Sequence, residues 1–134
     1  MTNATTRADM TYAVLEGVAF ACKESQNVIQ VTDARIDAVS VIGGSAKSPA
    51  WRQLLANVLH QPLRYHQDAE EVPALRAARL AMIGIHPESL QAISSTPPVE
   101  KAITPESNQH ALLEDRFQRY QQYHQQLKPV FNTL

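Results

Sequence analysis

The sequence predicts an α/β fold, a partial sheet with flanking helices, and three stretches carry that prediction. A β-branched run, Val39-Ser-Val-Ile42, stops at Gly43-Gly44, and a helix start at Ser48-Pro49 follows almost at once. Ahead of it lies a long stretch with apolar residues every three or four positions. Behind it come a second short strand and an alanine-rich helix. The order is therefore helix, strand, helix, strand, helix, and two strands separated in this way run parallel through a right-handed crossover.

The first helix is expected from about Arg7 to about Gln30. Thr6-Arg-Ala-Asp9 has capping-box spacing. Met10, Val14, Gly17, Val18 and Ala21 form one apolar stripe, expected to face a neighbouring element. Gly17 inside it costs ~1 kcal/mol relative to Ala, which close packing would explain. Ile36–Ile42 reads as a buried strand. Ser48 suits an N-cap and Pro49 the first helical position, and Trp51–Leu59 reads as a short helix with Trp51, Leu54, Leu55 and Val58 inward. Pro62–Tyr65 is the second strand. Pro73 opens a helix over Ala74–Ile83 that Gly84 ends, with Ala74, Ala77, Ala78 and Ala81 as a smooth face for a sheet. Two strands are few for a parallel sheet, so the chain reads as part of a larger one.

From Ile85 to about Gln109 prolines at 87, 97, 98 and 105 mark a surface excursion, with a helical turn near Ser89–Ile93. Helix resumes near His110 and runs to about Lys128, with Leu113, Phe117, Tyr120, His124 and Leu127 on one side.

Composition narrows the function classes. The chain has 134 residues and a net charge of −1, so a nucleic-acid role has no electrostatic support. Its apolar runs are too short to cross a bilayer, and Met1–Asp9 lacks the charged-then-apolar layout of a signal peptide. A single cysteine, Cys22, excludes an internal disulfide framework and fits a cytoplasmic setting. Within a helical pattern it reads as a buried packing thiol. Histidines at 60, 66, 86, 110 and 124 show no metal-ligand spacing, and His60 falls in the last turn of its helix. Asp68, Glu70 and Glu71 form an acidic loop.

The chemistry concentrates at Gly43–Ser48. A strand, a glycine turn and a helix N-terminus bring unpaired N–H groups and the helix dipole to a point where a phosphate can sit. The alternative is a tight strand-to-helix connection with no ligand. Ser45-Ala-Lys-Ser48 is not a Walker phosphate loop, because Ala46 stands where the glycine before Lys-Ser belongs. Nor is there any Asp-x-Gly, the start of a metal-and-phosphate hairpin, so catalytic carboxylates would have to come from elsewhere.

Ala13-Val-Leu-Glu-Gly-Val-Ala-Phe20, Val41-Ile-Gly-Gly-Ser-Ala-Lys-Ser-Pro-Ala-Trp-Arg-Gln-Leu-Leu-Ala56 and Pro73-Ala-Leu-Arg-Ala-Ala-Arg-Leu-Ala81 together resemble the C-terminal part of the FGGY carbohydrate kinases, closest to the xylulokinases. Asp9–Glu16 matches the second half of that family's C-terminal signature, with Met1 at its aliphatic position. The resemblance implies the distal part of the C-terminal lobe of an actin-like, ribonuclease-H-like ATPase. It divides the chain into a partial lobe (1–87), a Pro/Ser-rich surface connection (88–109) and a C-terminal helix packing on the same lobe (110–134). It also implies ATP as cofactor, touched by Gly43, Gly44 and Ser45, with Lys47 and Ser48 near the adenine side. Mg2+, the sugar and the catalytic residues belong, by the same implication, to the first lobe of a complete enzyme. In three places the chain departs from the family pattern: Ser45, Val72 and Arg76 each stand where the family has a glycine. The expected whole activity is transfer of the γ-phosphoryl group of ATP to D-xylulose, with the fragment inactive alone. Related sugar kinases acting on gluconate, ribulose or glycerol are the alternative within the family. Outside it, the alternative is a non-catalytic remnant that associates with its own copies through sheet edges and apolar stripes.

Overall fold

A computed structural model describes residues 2, 4–32, 35–66, 72–86 and 98–131, apart from the side chains of residues 72, 73, 75 and 76. The elements are α1 (Arg7–Val31), β1 (Val39–Val41), α2 (Pro49–Leu59), β2 (Leu63–His66), α3 (Val72–Ile85), β3 (Val99–Ile103) and α4 (His110–Phe131). The expected helical turn near Ser89–Ile93 and the acidic loop at Asp68, Glu70 and Glu71 lie outside the described residues.

The sheet has the order β1-β2-β3. β1 and β2 are parallel, with Val39 opposite Leu63 and Val41 opposite Tyr65. Only three residues of the expected Ile36–Ile42 strand pair, because β2 begins opposite Val39. β3 is antiparallel to β2, with Leu63 opposite Ile103 and an irregularity at Tyr65/His66. This strand lies inside the stretch read as a surface excursion. Of its five residues only Ile103 is buried, so it lacks the apolar alternation that marks a strand in sequence.

One core joins the sheet to three helices. Leu54, Leu55, Val58 and Leu59 of α2 meet Val41, Leu63 and Ile103 from the sheet, Ala19 and Phe20 from α1, and Leu113 and Phe117 from α4. Phe20 packs against Phe117 and Tyr120 with ring centroids 5.5 Å away in each case, which adds a modest aromatic contribution to the area buried. In α2 Leu54, Leu55 and Val58 are buried as the spacing predicted, but Trp51 is only partly buried, and Arg52, Ala56, Asn57 and Leu59 are buried as well. The second half of α4 departs from its pattern: Leu113 and Phe117 are buried, while Leu127 is half exposed and His124 is exposed.

Two helices correct the sequence reading more sharply. The buried residues of α1 are Glu16, Ala19, Phe20 and Gln26, whereas Met10, Val14 and Val18 are exposed, Val14 by 67%. The apolar stripe lies on the side of α1 opposite the packed one, and Cys22 is exposed rather than buried. Gly17 has nothing within 4 Å of where a Cβ would stand, so close packing does not explain it. α3 runs through Gly84 to Ile85, where His86 N–H reaches Met82 C=O. Ala74, Ala77, Ala78 and Ala81 are all exposed instead of lying on the sheet. Both stripes are real patterns that no described element covers.

Candidate functional site

Gly43 leaves the carboxyl end of β1 with φ 90° and ψ 175°, a conformation that only glycine adopts without strain. A Cβ added to Gly43 or Gly44 would meet nothing within 4 Å. Nothing in the described protein fills the space above these two residues, so their backbone lies open at the carboxyl end of a parallel strand, where α/β folds bind ligands. A nucleotide's phosphates need that kind of unobstructed approach.

Between the glycines and α2 the chain inserts a single 3₁₀ turn, Gly44–Lys47. Ala46 N–H donates to Gly43 C=O (2.9 Å) and Ser48 N–H to Ser45 C=O (3.1 Å). Ser48 then caps α2, its hydroxyl accepting from Trp51 N–H at 3.3 Å, with Pro49 next in line. The helix mouth is thus one turn beyond the glycines rather than directly behind them. Pro49 has no N–H and Trp51 N–H is taken by the Ser48 hydroxyl, so the first turn of α2 offers fewer donors than a helix N-terminus without these two features. Gly44, Ser45, Lys47 and Ser48 are exposed and Gly43 is half-buried, so the structure gathers all five on one short segment.

Arg52 was not singled out from the sequence. It is 8% exposed, and its Nη1 donates to Ala46 C=O at 2.7 Å. Its guanidinium lies 4.1 Å from the centroid of the Tyr65 ring. The available signal was a lone cation beside the inward residues of an apolar helix. Nearby, Ser40 Oγ and His66 Nε2 are 2.9 Å apart and tie β1 to β2, with His66 buried. His60 is the αL cap of α2, at φ 53° and ψ 38°, and its ring stacks on His110 at 3.9 Å.

A concavity of about 400 Å³ lies between α1 and α4, away from the glycine turn. At its base Glu16 is buried, 3.2 Å from Arg116 Nη1. Burial pushes the Glu16 carboxyl up, and the Arg116 charge pulls it part of the way back. Nearby, Lys23 donates to Glu114 at 2.6 Å, and that bond holds the Glu114 carboxyl below its ordinary range. These pairs fasten α4 across α1. Among the described residues no group of three or more His, Cys, Asp or Glu side chains is placed to hold a metal ion.

With this geometry in view, comparison with known proteins identifies the family. Residues 1–85 match the C-terminal domain of the FGGY family of carbohydrate kinases. The chain belongs to that family. Xylulose kinase of Escherichia coli K12 is 36% identical over 123 residues, which cover 91% of this chain and 25% of the relative. A xyloylose kinase from Brucella ovis superposes with a TM-score of 0.81 at 27% identity, over 97% of this chain and 27% of the other. Gluconate kinase from Lactobacillus acidophilus superposes at 0.68 and 27% identity, over 95% of this chain and 26% of its own. The FGGY chain thus spans about a quarter of the length of these relatives. Its fold is part of the actin-like ATPase architecture of FGGY kinases, as the sequence resemblance implied.

Proposed function

We propose that this chain is the distal part of the second lobe of an ATP-dependent sugar kinase of xylulokinase type, and that it supplies one wall of the ATP site. The domain division expected from sequence, 1–87, 88–109 and 110–134, is part of this proposal. The observation that carries it is the open, positive-φ glycine backbone at the carboxyl end of β1, in a chain of FGGY kinase sequence. In this reading Gly43, Gly44 and Ser45 approach the phosphates, and Lys47 and Ser48 stand toward the adenosine. ATP supplies the phosphoryl group. Mg2+ and the residues that activate the sugar hydroxyl come from the first lobe, so no step of the transfer is assigned to a side chain here. The complete reaction is D-xylulose and ATP to xylulose 5-phosphate and ADP, in the cytoplasm. The gluconate kinase likeness keeps gluconate as an alternative sugar.

Titration of the chain with ADP tests the site, with chemical-shift changes expected at Gly43–Ser48. A spectrum unchanged at millimolar ADP overturns the nucleotide reading. A coupled ADP-release assay with D-xylulose is expected to show no turnover by this chain; turnover above background overturns its assignment as a non-catalytic part.

A second reading is favoured by the stripe on α1. Met10, Val14 and Val18 are exposed on one side of α1, and exposed apolar surface of that kind favours association. In that reading the chain is a remnant that pairs with its own copy. Light scattering separates the two, since a monomer at high concentration counts against pairing.

A further inference from the structure

We propose that Arg52 is the positioning residue of the glycine turn, tying it to β2 and so setting the attitude of the Gly43–Ser45 backbone. The nucleotide part of this inference rests on the function proposed above; the positioning part does not.

Two backbone bonds of 2.9 and 3.1 Å close the turn, and its glycine entry has open space on the outer side. On the inner side Ala46 is fully buried, so its carbonyl must find a donor within the protein. Arg52 Nη1 is that donor, at 2.7 Å, six residues along the chain. A charged donor to a buried carbonyl is among the stronger hydrogen bonds available.

The guanidinium is itself held from below. It sits over the Tyr65 ring at 4.1 Å, and Tyr65 belongs to β2, opposite Val41 of β1 and Lys101 of β3. The turn is therefore referenced to the central strand, not only to the strand it leaves. Arg52 Nε is buried without a hydrogen-bond partner among the described residues. Burial of that donor is unfavourable, and the ring contact and the Ala46 bond are what hold the guanidinium there. A planar cation that stacks and donates at once is needed; lysine reproduces the donor but not the stacking.

The test uses the full chain and amide hydrogen exchange at Ala46 and Ser48, the two donors within the turn, measured alongside the α2 amides. Arg52→Met is expected to speed exchange at Ala46 and Ser48 roughly tenfold or more relative to α2, the order expected from losing a charged hydrogen bond. ADP affinity should fall by a similar factor. Arg52→Lys should recover part of both effects, and Tyr65→Leu should loosen the turn with Arg52 intact. If Arg52→Met fails to fold, Arg52→Lys and Tyr65→Leu decide the matter by the same two amides. Exchange at Ala46 and Ser48 that is unchanged, or that rises only in proportion to all core amides, overturns the proposal. If the unaltered chain binds no ADP, the nucleotide reading fails, while the exchange data still decide whether Arg52 positions the turn.

Discussion

Two helices of this molecule carry the same kind of apolar repeat and make opposite use of it. In α2 the stripe points inward: Leu54, Leu55 and Val58 are buried against the sheet and α1. In α1 the stripe of Met10, Val14 and Val18 points outward, while Glu16, Ala19, Phe20 and Gln26 are the buried residues. Periodicity reports that one face is apolar; it does not report whether the partner of that face is present. α2 has its partners within the chain. α1 sits between the described core on one side and uncovered apolar surface on the other.

Substitutions can sharpen that contrast. The largest effect is expected on the buried side of α1, where Phe20→Ala removes a ring packed between Phe117 and Tyr120. Denaturant unfolding should show a loss of about 3–5 kcal/mol. Ser48→Ala removes the N-cap of α2 and should cost about 1 kcal/mol by the same measurement.

The Lys23–Glu114 bond should contribute on a similar or smaller scale, because Glu114 is partly exposed. Its sign with pH follows from the lowered carboxyl. The stabilisation is present above the unfolded carboxyl value and is lost as pH falls through the folded one. Glu16 works in the opposite direction. Its raised carboxyl favours the protonated form in the folded state, so its contribution declines as pH rises from the unfolded value through the folded one. Glu16→Gln should flatten that segment of the pH–stability curve, and an unchanged curve would contradict the burial argument.

The smallest effect on stability belongs to the outer stripe. Val14→Ser with Val18→Ser should change unfolding free energy by no more than about 0.5 kcal/mol per site. Light scattering at high concentration should nonetheless show less association. A large destabilisation there would erase the distinction between the two helices.

How much could be read in advance depends on where the information resides. Thr6 and Asp9 form the capping box their spacing indicated, with Thr6 N–H donating to Asp9 Oδ2 at 2.8 Å. Ser48 and Pro49 open α2 as expected. These are exchanges between residues three apart, and local spacing suffices to see them. β3 was not legible, since a mostly exposed strand on one edge is recognised only through its pairing with β2. Arg52 was illegible for the same kind of reason. Its partners are the carbonyl of Ala46 and a ring on the next strand, and no sequence pattern announces either.

Sequence alone determined the helix starts, the glycine turn after β1 and the FGGY likeness, because these depend on short-range stereochemistry and residue order. Tertiary structure decided which face of α1 is buried, that the turn stands one step ahead of α2, and that Arg52 lies beneath it. Those outcomes rest on which surfaces meet, and burial is a property of pairs of surfaces rather than of either one.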